Sequence, residues 1–284
     1  MKDIKELRIQ ITRKNKFPRL YDLDLLEDTE VQLSQDEIVA AAEAAAALGI
    51  KEIRFTGGEP TEREDLTELV KRVKDIEGID KLSMTTNAIF LGGKIKELKE
   101  AGLDSVDILL DTFFEEKYIY MTGGGPIDEA MDSMESAVCS ELKPVRVQVT
   151  IIEGINDDEI LTFGQFALNE PIDVVFVEKP NKDGVKLKDS EKEQKFMAAE
   201  KVREKFKGIV NVPSGDPLVE SFKWFEAKGK LGFVNLERAK AYGPEITADG
   251  KLKKALIDEQ PADISAVLSS LKVEDIKAAI EANL

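Results

Sequence analysis

The stretch that decides the fold is Lys51-Glu-Ile-Arg-Phe-Thr-Gly-Gly-Glu-Pro60. It predicts a short β-strand, Glu52–Thr56, which is followed at once by two glycines, a carboxylate and a proline. Because glycine has no Cβ, Gly57 and Gly58 let the backbone approach a ligand closely. Two interpretations follow. The turn is either a tight connection into a helix, or a ligand-binding turn in which Glu59 accepts a hydrogen bond from an ammonium group.

On both sides of this turn, β-branched segments alternate with helical patterns. Ser34-Gln-Asp-Glu37 is a capping-box pattern, which predicts that an Ala-rich helix begins there and ends near Gly49. Apolar spacing predicts further helices over Glu64–Lys74, Lys94–Ala101, Ile127–Leu142 and Asp158–Leu168. The predicted strands are Leu7–Thr12, Glu52–Thr56, Lys81–Thr86, Val106–Asp111, Val145–Ile152 and Asp173–Glu178.

Six successive βα units predict an α/β fold, a full or partial TIM-like (β/α) barrel. The reason is that right-handed crossovers curl a parallel sheet with its helices outside. An open doubly wound sheet is the second choice. The βα repeat ends after Pro180, where a charge-rich and mostly helical segment, Lys182–Lys207, is followed by the strand candidate Ile209–Val212.

This change in composition predicts two units. Residues 1–208 form the barrel, and residues 209–284 form a C-terminal extension packed on it. The extension mixes aromatic residues with Gly-containing turns, and short helices are predicted from Ala262 and from Val273.

Composition excludes several classes of partner. The 284 residues contain 40 Lys plus Arg against 56 Asp plus Glu, a net charge of −16. This charge repels nucleic acid and anionic membrane surfaces. No apolar run approaches the roughly 20 residues that cross a bilayer, and the start of the chain lacks the apolar segment of a signal peptide. We therefore expect a cytoplasmic protein that binds neither nucleic acid nor membrane.

The chain has one cysteine, Cys139, and no histidine. These counts exclude an internal disulfide, a Cys/His zinc site, a Ser-His-Asp triad and a cysteine-held iron–sulfur cluster built from this chain alone. Cys139 lies among apolar residues of a predicted helix, so we expect it to be buried.

Further candidates lie where barrel proteins place their sites, at the C-terminal ends of strands. Thr86 and Asn87 offer a hydroxyl and an amide, or else form a turn that caps the next helix. Asp111 and Glu178 follow two other strands, as ligands or as solvated caps. Asn156-Asp-Asp158 is interpreted as a helix N-cap without a catalytic role.

A series of motifs in chain order resembles the molybdenum cofactor biosynthesis protein A family. The family consists of radical S-adenosylmethionine enzymes that act as GTP 3′,8-cyclases. The resemblance covers nearly the whole chain. Its motifs are Leu7–Thr12, Lys51–Pro60, Thr85–Asn87, Ala101–Asp104, Asp111, Thr122-Gly123, Gly154–Asp157 and Thr247–Leu252.

The resemblance implies two [4Fe–4S] clusters, but this chain lacks the thiolates that hold them. The first CxxxCxxC motif falls on Asn15, Arg19 and Asp22. The nearest positions for the second cluster are Arg238, Ala241 and Ala255. Since the family cleaves S-adenosylmethionine with an electron from the first cluster, we expect no iron–sulfur cluster and no radical chemistry.

The resemblance also implies that most cations for a triphosphate are gone. Two family arginines fall on Gly243 and Glu245, a basic residue falls on Val175, and a lysine falls on Glu153. Arg8 is the one cation of this set that remains. The family pattern further implies a homodimer.

Our first hypothesis is therefore a non-catalytic relative that binds a small molecule, such as S-adenosylmethionine, or a protein. Gly57–Pro60 and Thr86 resemble the part of the family's site that contacts the methionine end of S-adenosylmethionine, although Leu109 stands where the family has a polar residue. One alternative is an enzyme in which Glu59, Asp111 and Glu178 hold a cation such as Mg²⁺. Another is a scaffold, natural or redesigned, without a ligand. The ligand-site candidates are Arg8, Gly57, Gly58, Glu59, Pro60, Thr86, Asn87, Asp111 and Glu178.

Overall fold

The computed structural model describes residues 4–22, 32–180, 195–214, 216, 219–240, 243–255 and 260–283. The strands are β1 (Glu6–Gln10), β2 (Glu52–Thr56), β3 (Lys81–Thr86), β4 (Ser105–Leu109), β5 (Val145–Val149), β6 (Asp173–Val177), β7 (Val210–Val212), β8 (Glu220–Lys223), β9 (Leu231–Val234), β10 (Glu245–Ile246), β11 (Lys251–Lys253) and β12 (Ala262–Asp263). The helices are α1 (Gln35–Ala47), α2 (Leu66–Lys74), α3 (Ile95–Ala101), α4 (Glu115–Thr122), α5 (Ile127–Cys139), α6 (Ile160–Asn169), α7 (Ala199–Arg203), α8 (Leu236–Lys240), α9 (Ser265–Leu268) and α10 (Val273–Ala282).

The strands form one curled sheet in the order β12-β11-β10-β1-β2-β3-β4-β5-β6-β9-β8-β7. The eight central strands, from β10 to β9, run parallel. Antiparallel strands flank them on both sides. The sheet is open, so the prediction of an α/β fold with a partial TIM-like barrel is confirmed.

The C-terminal region contributes more to this sheet than we predicted. Strands β9 and β10 both lie beyond residue 208, yet β9 pairs with β6 and β10 pairs with β1. Ala262 belongs to strand β12, and the short helix predicted from that residue begins three residues later, at Ser265. In the predicted helical segment Lys182–Lys207, residues 182–194 lie outside the described part of the chain, and α7 covers only Ala199–Arg203.

The core lies between the convex face of the sheet and the helices. Leu7, Ile9, Ile53 and Phe55 alternate with inward-facing residues along β1 and β2 and are fully buried. On α2, apolar residues at helical spacing, among them Leu69, are buried as predicted. The predicted capping box of α1 is also confirmed by hydrogen bonds in both directions between Ser34 and Glu37.

Two surface features complete the fold. Within the described residues, none of the helices combines the length and the apolar character needed to span a membrane. Cys139 lies at the end of α5 and is exposed, so the prediction that it is buried is wrong. The helix turns this last residue away from its buried face, on which Ala130, Met134 and Ala137 lie.

Candidate functional site at the mouth of the barrel

The glycine turn after β2 is packed against the segment that follows β1. The backbone N–H of Gly58 donates to the Thr12 oxygen at 2.8 Å, and that of Glu59 donates to the Lys14 oxygen at 2.6 Å. A Cβ on Gly57 would lie 2.5 Å from the Thr12 oxygen, and one on Gly58 would lie 2.2 Å from the Lys14 oxygen. The two glycines therefore admit the chain's own backbone. Their close approach to a ligand stays a prediction.

Glu59 is fully buried and accepts four hydrogen bonds from groups of the protein. Its Oε1 accepts hydrogen bonds from the Thr61 N–H (3.0 Å), the Thr61 hydroxyl (2.6 Å) and the Thr86 hydroxyl (2.6 Å). Its Oε2 accepts from the Asn87 N–H at 2.6 Å. Burial raises the pKa of Glu59, and these donors oppose the shift. Glu59 thereby ties the glycine turn to the end of β3, and its pairing with a ligand's ammonium group stays a prediction.

Thr86 and Asn87 form the turn that we gave as the alternative to a binding role. The Thr86 hydroxyl accepts from the Ala88 N–H at 2.9 Å, and the Asn87 side-chain oxygen accepts from the Ile89 N–H at 3.0 Å. Pro60 begins a short 3₁₀ turn and is buried. The side-chain oxygens of Thr86 and Asn87 thus accept hydrogen bonds within the turn itself.

Residues 13–22, which we call the cap, follow β1 and span the C-terminal ends of the strands. Arg19 Nε and Nη2 lie 2.7 and 2.6 Å from Asp22 Oδ2. Lys179, after β6, places its Nζ 2.5 Å from Asp22 Oδ1. Both cations also lie 4.7 Å from the centre of the Tyr21 ring. Burial alone would raise the pKa of Asp22, but Arg19 and Lys179 outweigh it and hold that pKa below its ordinary value.

Asp111 fastens the cap to the ends of β4 and β5. Its Oδ1 accepts from the Thr150 N–H at 2.7 Å, and its Oδ2 accepts from the Tyr21 hydroxyl. Arg19 Nη1 lies 3.7 Å from the same Oδ2. The carboxylate is 3% exposed, and burial raises the pKa of Asp111.

Asn156 is a second tie at the mouth. Its side-chain N–H₂ donates to the Asp111 backbone oxygen at 2.7 Å and to the Thr150 oxygen at 2.9 Å, while its side-chain oxygen accepts from the Ile152 N–H at 2.7 Å. The residue is fully buried and makes no side-chain cap hydrogen bond. Asn156 does stand at the N-cap position of a 3₁₀ turn with an acidic first turn, as predicted, but its side-chain amide joins the ends of β4 and β5 instead of capping.

Sequence reasoning missed three residues of the mouth. Tyr21 and Lys179 complete the ion network of the cap. Tyr118 on α4 is 2% exposed, and its hydroxyl has no hydrogen-bond partner in the described part of the chain. Burial, with the charges of Asp111 and Glu59 nearby, raises the pKa of Tyr118. No local sequence signal marks these residues, since their partners are distant in the chain.

The predicted ring of metal-binding carboxylates is not formed. Glu59 binds inside the glycine turn, Asp111 binds the cap, and Glu178 Oε2 accepts from the Ala199 N–H at 3.1 Å. Over the described ranges, no group of three or more His, Cys, Asp or Glu side chains is placed to hold a metal ion. The structure gives the alternative of a carboxylate-bound cation no support.

The concave face of the sheet carries a buried ion network. Arg54, 2% exposed, bonds Asp107 Oδ2 through Nη1 at 2.8 Å and Glu6 through Nε at 3.0 Å. Since β3 lies between β2 and β4, the contact of Arg54 with Asp107 crosses this face. Arg146 lies 3.8 Å from Asp107 Oδ1 and 2.9 Å from Asp216. Burial would raise the pKa of Asp107, but Arg54 and Arg146 lower it on balance.

Arg8 is the one cation that we expect to remain of the set implied by the family resemblance, and it also forms an ion pair. Its Nε lies 3.7 Å from Glu245 Oε1, and the Thr56 hydroxyl donates to the same oxygen at 3.1 Å. Lys253 Nζ lies 3.9 Å from Glu245 Oε2. Glu245, which stands where the resemblance places a family arginine, therefore neutralises Arg8.

A groove of about 670 Å³ lies away from these residues, on the outer surface between α1 and α2. Its lining includes Val39, Glu43, Arg72 and Ile76, and none of the predicted site residues. The chemistry-bearing groups are those of the mouth and the concave face.

Comparison with known proteins assigns the family. A model described as the radical SAM superfamily matches residues 22–167. The chain belongs to this superfamily. It is 32% identical over 292 residues to the GTP 3′,8-cyclase of Moorella thermoacetica, covering 98% of this chain and 89% of that protein. It is 34% identical over 255 residues to the enzyme of Lactiplantibacillus plantarum, covering 84% and 74%. Within the superfamily, the chain belongs to the GTP 3′,8-cyclase family.

Other similarities are narrower. The GTP 3′,8-cyclase of Limosilactobacillus fermentum is 43% identical over 150 residues, which span 53% of this chain and 45% of that protein. Among solved structures, Streptococcus suis SuiB bound to S-adenosylmethionine superposes with a TM-score of 0.66 at 15% identity, covering 98% of this chain and 67% of that one. At this identity the likeness supports the radical SAM fold alone.

The residues at the family's cluster positions do not fit a cysteine-held [4Fe–4S] cluster. Such a cluster needs thiolates. Here Arg19 and Asp22 bind each other, and the Asn15 side chain donates to the Gly58 oxygen at 3.2 Å. Of the second set, Arg238 pairs with Glu220 at 2.9 Å, Ala255 is half-buried, and Ala241 lies outside the described residues.

The substrate-side positions of the family are also occupied differently. Val175 is buried, and Glu153 lies 3.8 Å from Lys201. A Cβ on Gly243 would lie 2.6 Å from the Glu6 oxygen, which leaves no room there for an arginine without a shift of the backbone. Leu109 is half-buried at the end of β4.

Proposed function

We propose that this chain is a cluster-free member of the GTP 3′,8-cyclase family that performs no radical chemistry and binds a small molecule in its barrel. The observation that carries the proposal is the ion network at the family's cluster positions. Arg19, Asp22 and Lys179 meet there at 2.5–2.7 Å. A guanidinium offers no lone pair to iron.

The network is also costly to displace. Breaking a buried pair by removing one partner leaves an uncompensated charge. Moving Arg19 away would leave the Asp111 carboxylate, which is 3% exposed, without this nearby cation. Without a cluster, the family's source of the electron that cleaves S-adenosylmethionine is missing.

Binding is favoured over a pure scaffold by two buried hydroxyls. Tyr118 Oη and Thr85 Oγ1 have no hydrogen-bond partner among the described residues. An unpaired buried polar group costs about 1–3 kcal/mol, so such groups are normally satisfied by water or by a ligand. Thr85 lies beside Asp107 in the pairing of β3 with β4, on the concave face.

The first experiment tests for the cluster. The protein is reconstituted anaerobically with iron and sulfide, beside the Moorella thermoacetica GTP 3′,8-cyclase as a positive control. We expect no absorbance band at about 400 nm and no bound iron, because one exposed thiol cannot hold a cubane cluster. About four iron and four sulfide per chain, or turnover of GTP, contradicts the proposal.

The second experiment tests binding. Calorimetry with S-adenosylhomocysteine measures affinity for the adenosine and amino-acid groups of S-adenosylmethionine without its reactive sulfonium. We expect Tyr118→Phe to weaken binding about 2- to 10-fold, the value of one hydrogen bond. Tyr120→Phe, on the same helix but 38% exposed, is the matched control. Equal affinities in both variants remove Tyr118 from the site, and no binding by any of the proteins favours the scaffold.

The proposal places the protein in the cytoplasm as a homodimer. The location rests on the composition of the sequence, and the homodimer rests on the family resemblance. Light scattering of the purified chain measures its oligomeric state.

A further inference from the structure

The groove between α1 and α2 has an apolar floor. Val39, Ala46 and Ile76 pack against the core with one side and are half-buried, and Ala47 is exposed. All four residues line the groove, whose volume is about 670 Å³. The step from Val39 to Ala47 along α1 corresponds to about 12 Å. The floor is therefore long enough to contact about two turns of a partner helix.

Carboxylates stand beside this apolar floor. Glu43, Asp75 and Glu77 line the groove, and all three residues are exposed. Of the described lining residues, only Arg72 is a cation, and it already contacts the Asp36 carboxylate at 2.7 Å. The lining therefore carries a net negative charge.

The C-terminal end of α1 adds to this negative charge. The last turn of α1, all of which lies in the described part of the chain, contains no basic residue. The negative partial charge of its terminal carbonyl groups is therefore not offset within that turn. This end also lies away from the mouth, because α1 ends at Ala47 shortly before β2 begins at Glu52, whereas the mouth is formed where the strands end.

We propose that the groove is a docking site for a helix of a partner protein, and that this helix carries an apolar stripe flanked by lysine or arginine residues. An amphipathic helix lays its apolar face into a groove of this kind through residues spaced i, i+3, i+4 and i+7. Its apolar side chains cover the floor, and its cations lie beside the three carboxylates. The inference goes beyond the proposed function, since this partner and the small molecule occupy opposite ends of the barrel.

Fluorescence anisotropy with labelled synthetic peptides tests the inference. The probe is a helical peptide of about 18 residues, with leucines on one face and lysines on the other. We expect it to bind, and we expect added salt to weaken the binding because part of the attraction is electrostatic. Two control peptides should bind at least about 10-fold more weakly. One has the same composition with its leucines spread around the helix, and the other has glutamates in place of the lysines.

Three variants locate the binding site of the probe. Glu43→Lys reverses an exposed charge of the groove and should weaken binding at least about 10-fold. Ala47→Gln fills the groove from an exposed helical position and should weaken binding about 5-fold or more. The matched control is Glu97→Lys on α3, which reverses another exposed carboxylate and changes the net charge equally. Its affinity should differ less than about 2-fold from that of the unchanged protein.

Several results overturn the inference. They are the absence of binding by the unchanged protein, equal affinities for the probe and the control peptides, or affinities in Glu43→Lys and Ala47→Gln that match that of Glu97→Lys. A dimer that Ala47→Gln converts into a monomer in light scattering also overturns it, because the groove would then be an interface between copies of this chain. None of these results concerns the cluster or the binding of S-adenosylhomocysteine, which are decided by their own experiments.

Discussion

Replacing Arg19 by glutamine should destabilise the protein and loosen the cap. Arg19 makes two contacts with Asp22, at 2.6 and 2.7 Å, one with Asp111 at 3.7 Å, and a stacking contact with Tyr21. Loss of one partner of a buried ion pair costs about 3–5 kcal/mol. Because the side chains of Arg19 and Asp22 are 14% and 16% exposed, we expect a smaller loss, about 2–4 kcal/mol in the free energy of unfolding.

Urea unfolding measures this loss. The matched control is Arg72→Gln, since Arg72 also pairs with a carboxylate at 2.7 Å, that of Asp36, but the two side chains are 35% and 63% exposed. An exposed pair contributes about 0–1 kcal/mol. A loss in Arg19→Gln no greater than that of Arg72→Gln would refute the reasoning.

The pH dependence of the loss gives a second check. Arg19 and Lys179 hold the pKa of Asp22 below its ordinary value. This carboxylate therefore contributes stability above its unfolded pKa of about 3.9, and the contribution is lost as the pH falls through the folded pKa. Burial raises the pKa of Asp111, and removing Arg19 should raise it further, so the variant loses additional stability as the pH rises. Both effects make the deficit of Arg19→Gln larger at neutral pH than in acid. A deficit that is constant with pH contradicts them.

Three further variants test single contacts. Glu59→Gln should lower the free energy of unfolding by about 1–3 kcal/mol, because its amide N–H₂ would face the Asn87 N–H. We expect the affinity for S-adenosylhomocysteine to stay unchanged. A loss of affinity without a loss of stability would support a ligand role of Glu59. Asn156→Ala should lower the free energy of unfolding, measured with urea or heat, by about 2–4 kcal/mol. The control Asn169→Ala, on an exposed helix end, should leave it almost unchanged. Equal losses in the two variants would mean that the hydrogen bonds of Asn156 contribute little. Tyr118→Phe should leave the melting temperature unchanged or raised, since it removes an unpaired hydroxyl, and a clear decrease would reveal a partner for that hydroxyl.

Local patterns were enough to predict most of the fold. The strands β2 and β3 have the predicted bounds, and the capping box at Ser34 begins α1 as expected. These signals depend on residues close in the chain. The positions of β9 and β10 do not, since their partners β6 and β1 lie far away in sequence. Short strands with distant partners leave little periodic signal to detect.

The contacts that the candidate site residues make within the protein could not be predicted from the sequence. Glu59 and Asp111 lie at the mouth, yet the direction of each carboxylate depends on donors from other strands, such as the Asn87 and Thr150 N–H groups. Asp22 has a partner three residues away, Arg19, and another 157 residues away, Lys179. Only the first of these contacts has a spacing that a sequence pattern can suggest.

Contacts between protein groups hold the described part of the mouth, so the residues at the family's cluster positions are compatible with the fold. The apolar core lies on the convex side of the sheet, where Leu7, Ile53 and Phe55 are fully buried and are independent of the mouth. On the mouth side, Glu59 and Asn156 join neighbouring strand ends through backbone donors and acceptors. Arg19 and Asp22 fasten the cap through their ion pair. On the concave face Glu245 likewise pairs with Arg8, so charged groups of the protein also contact one another inside the barrel.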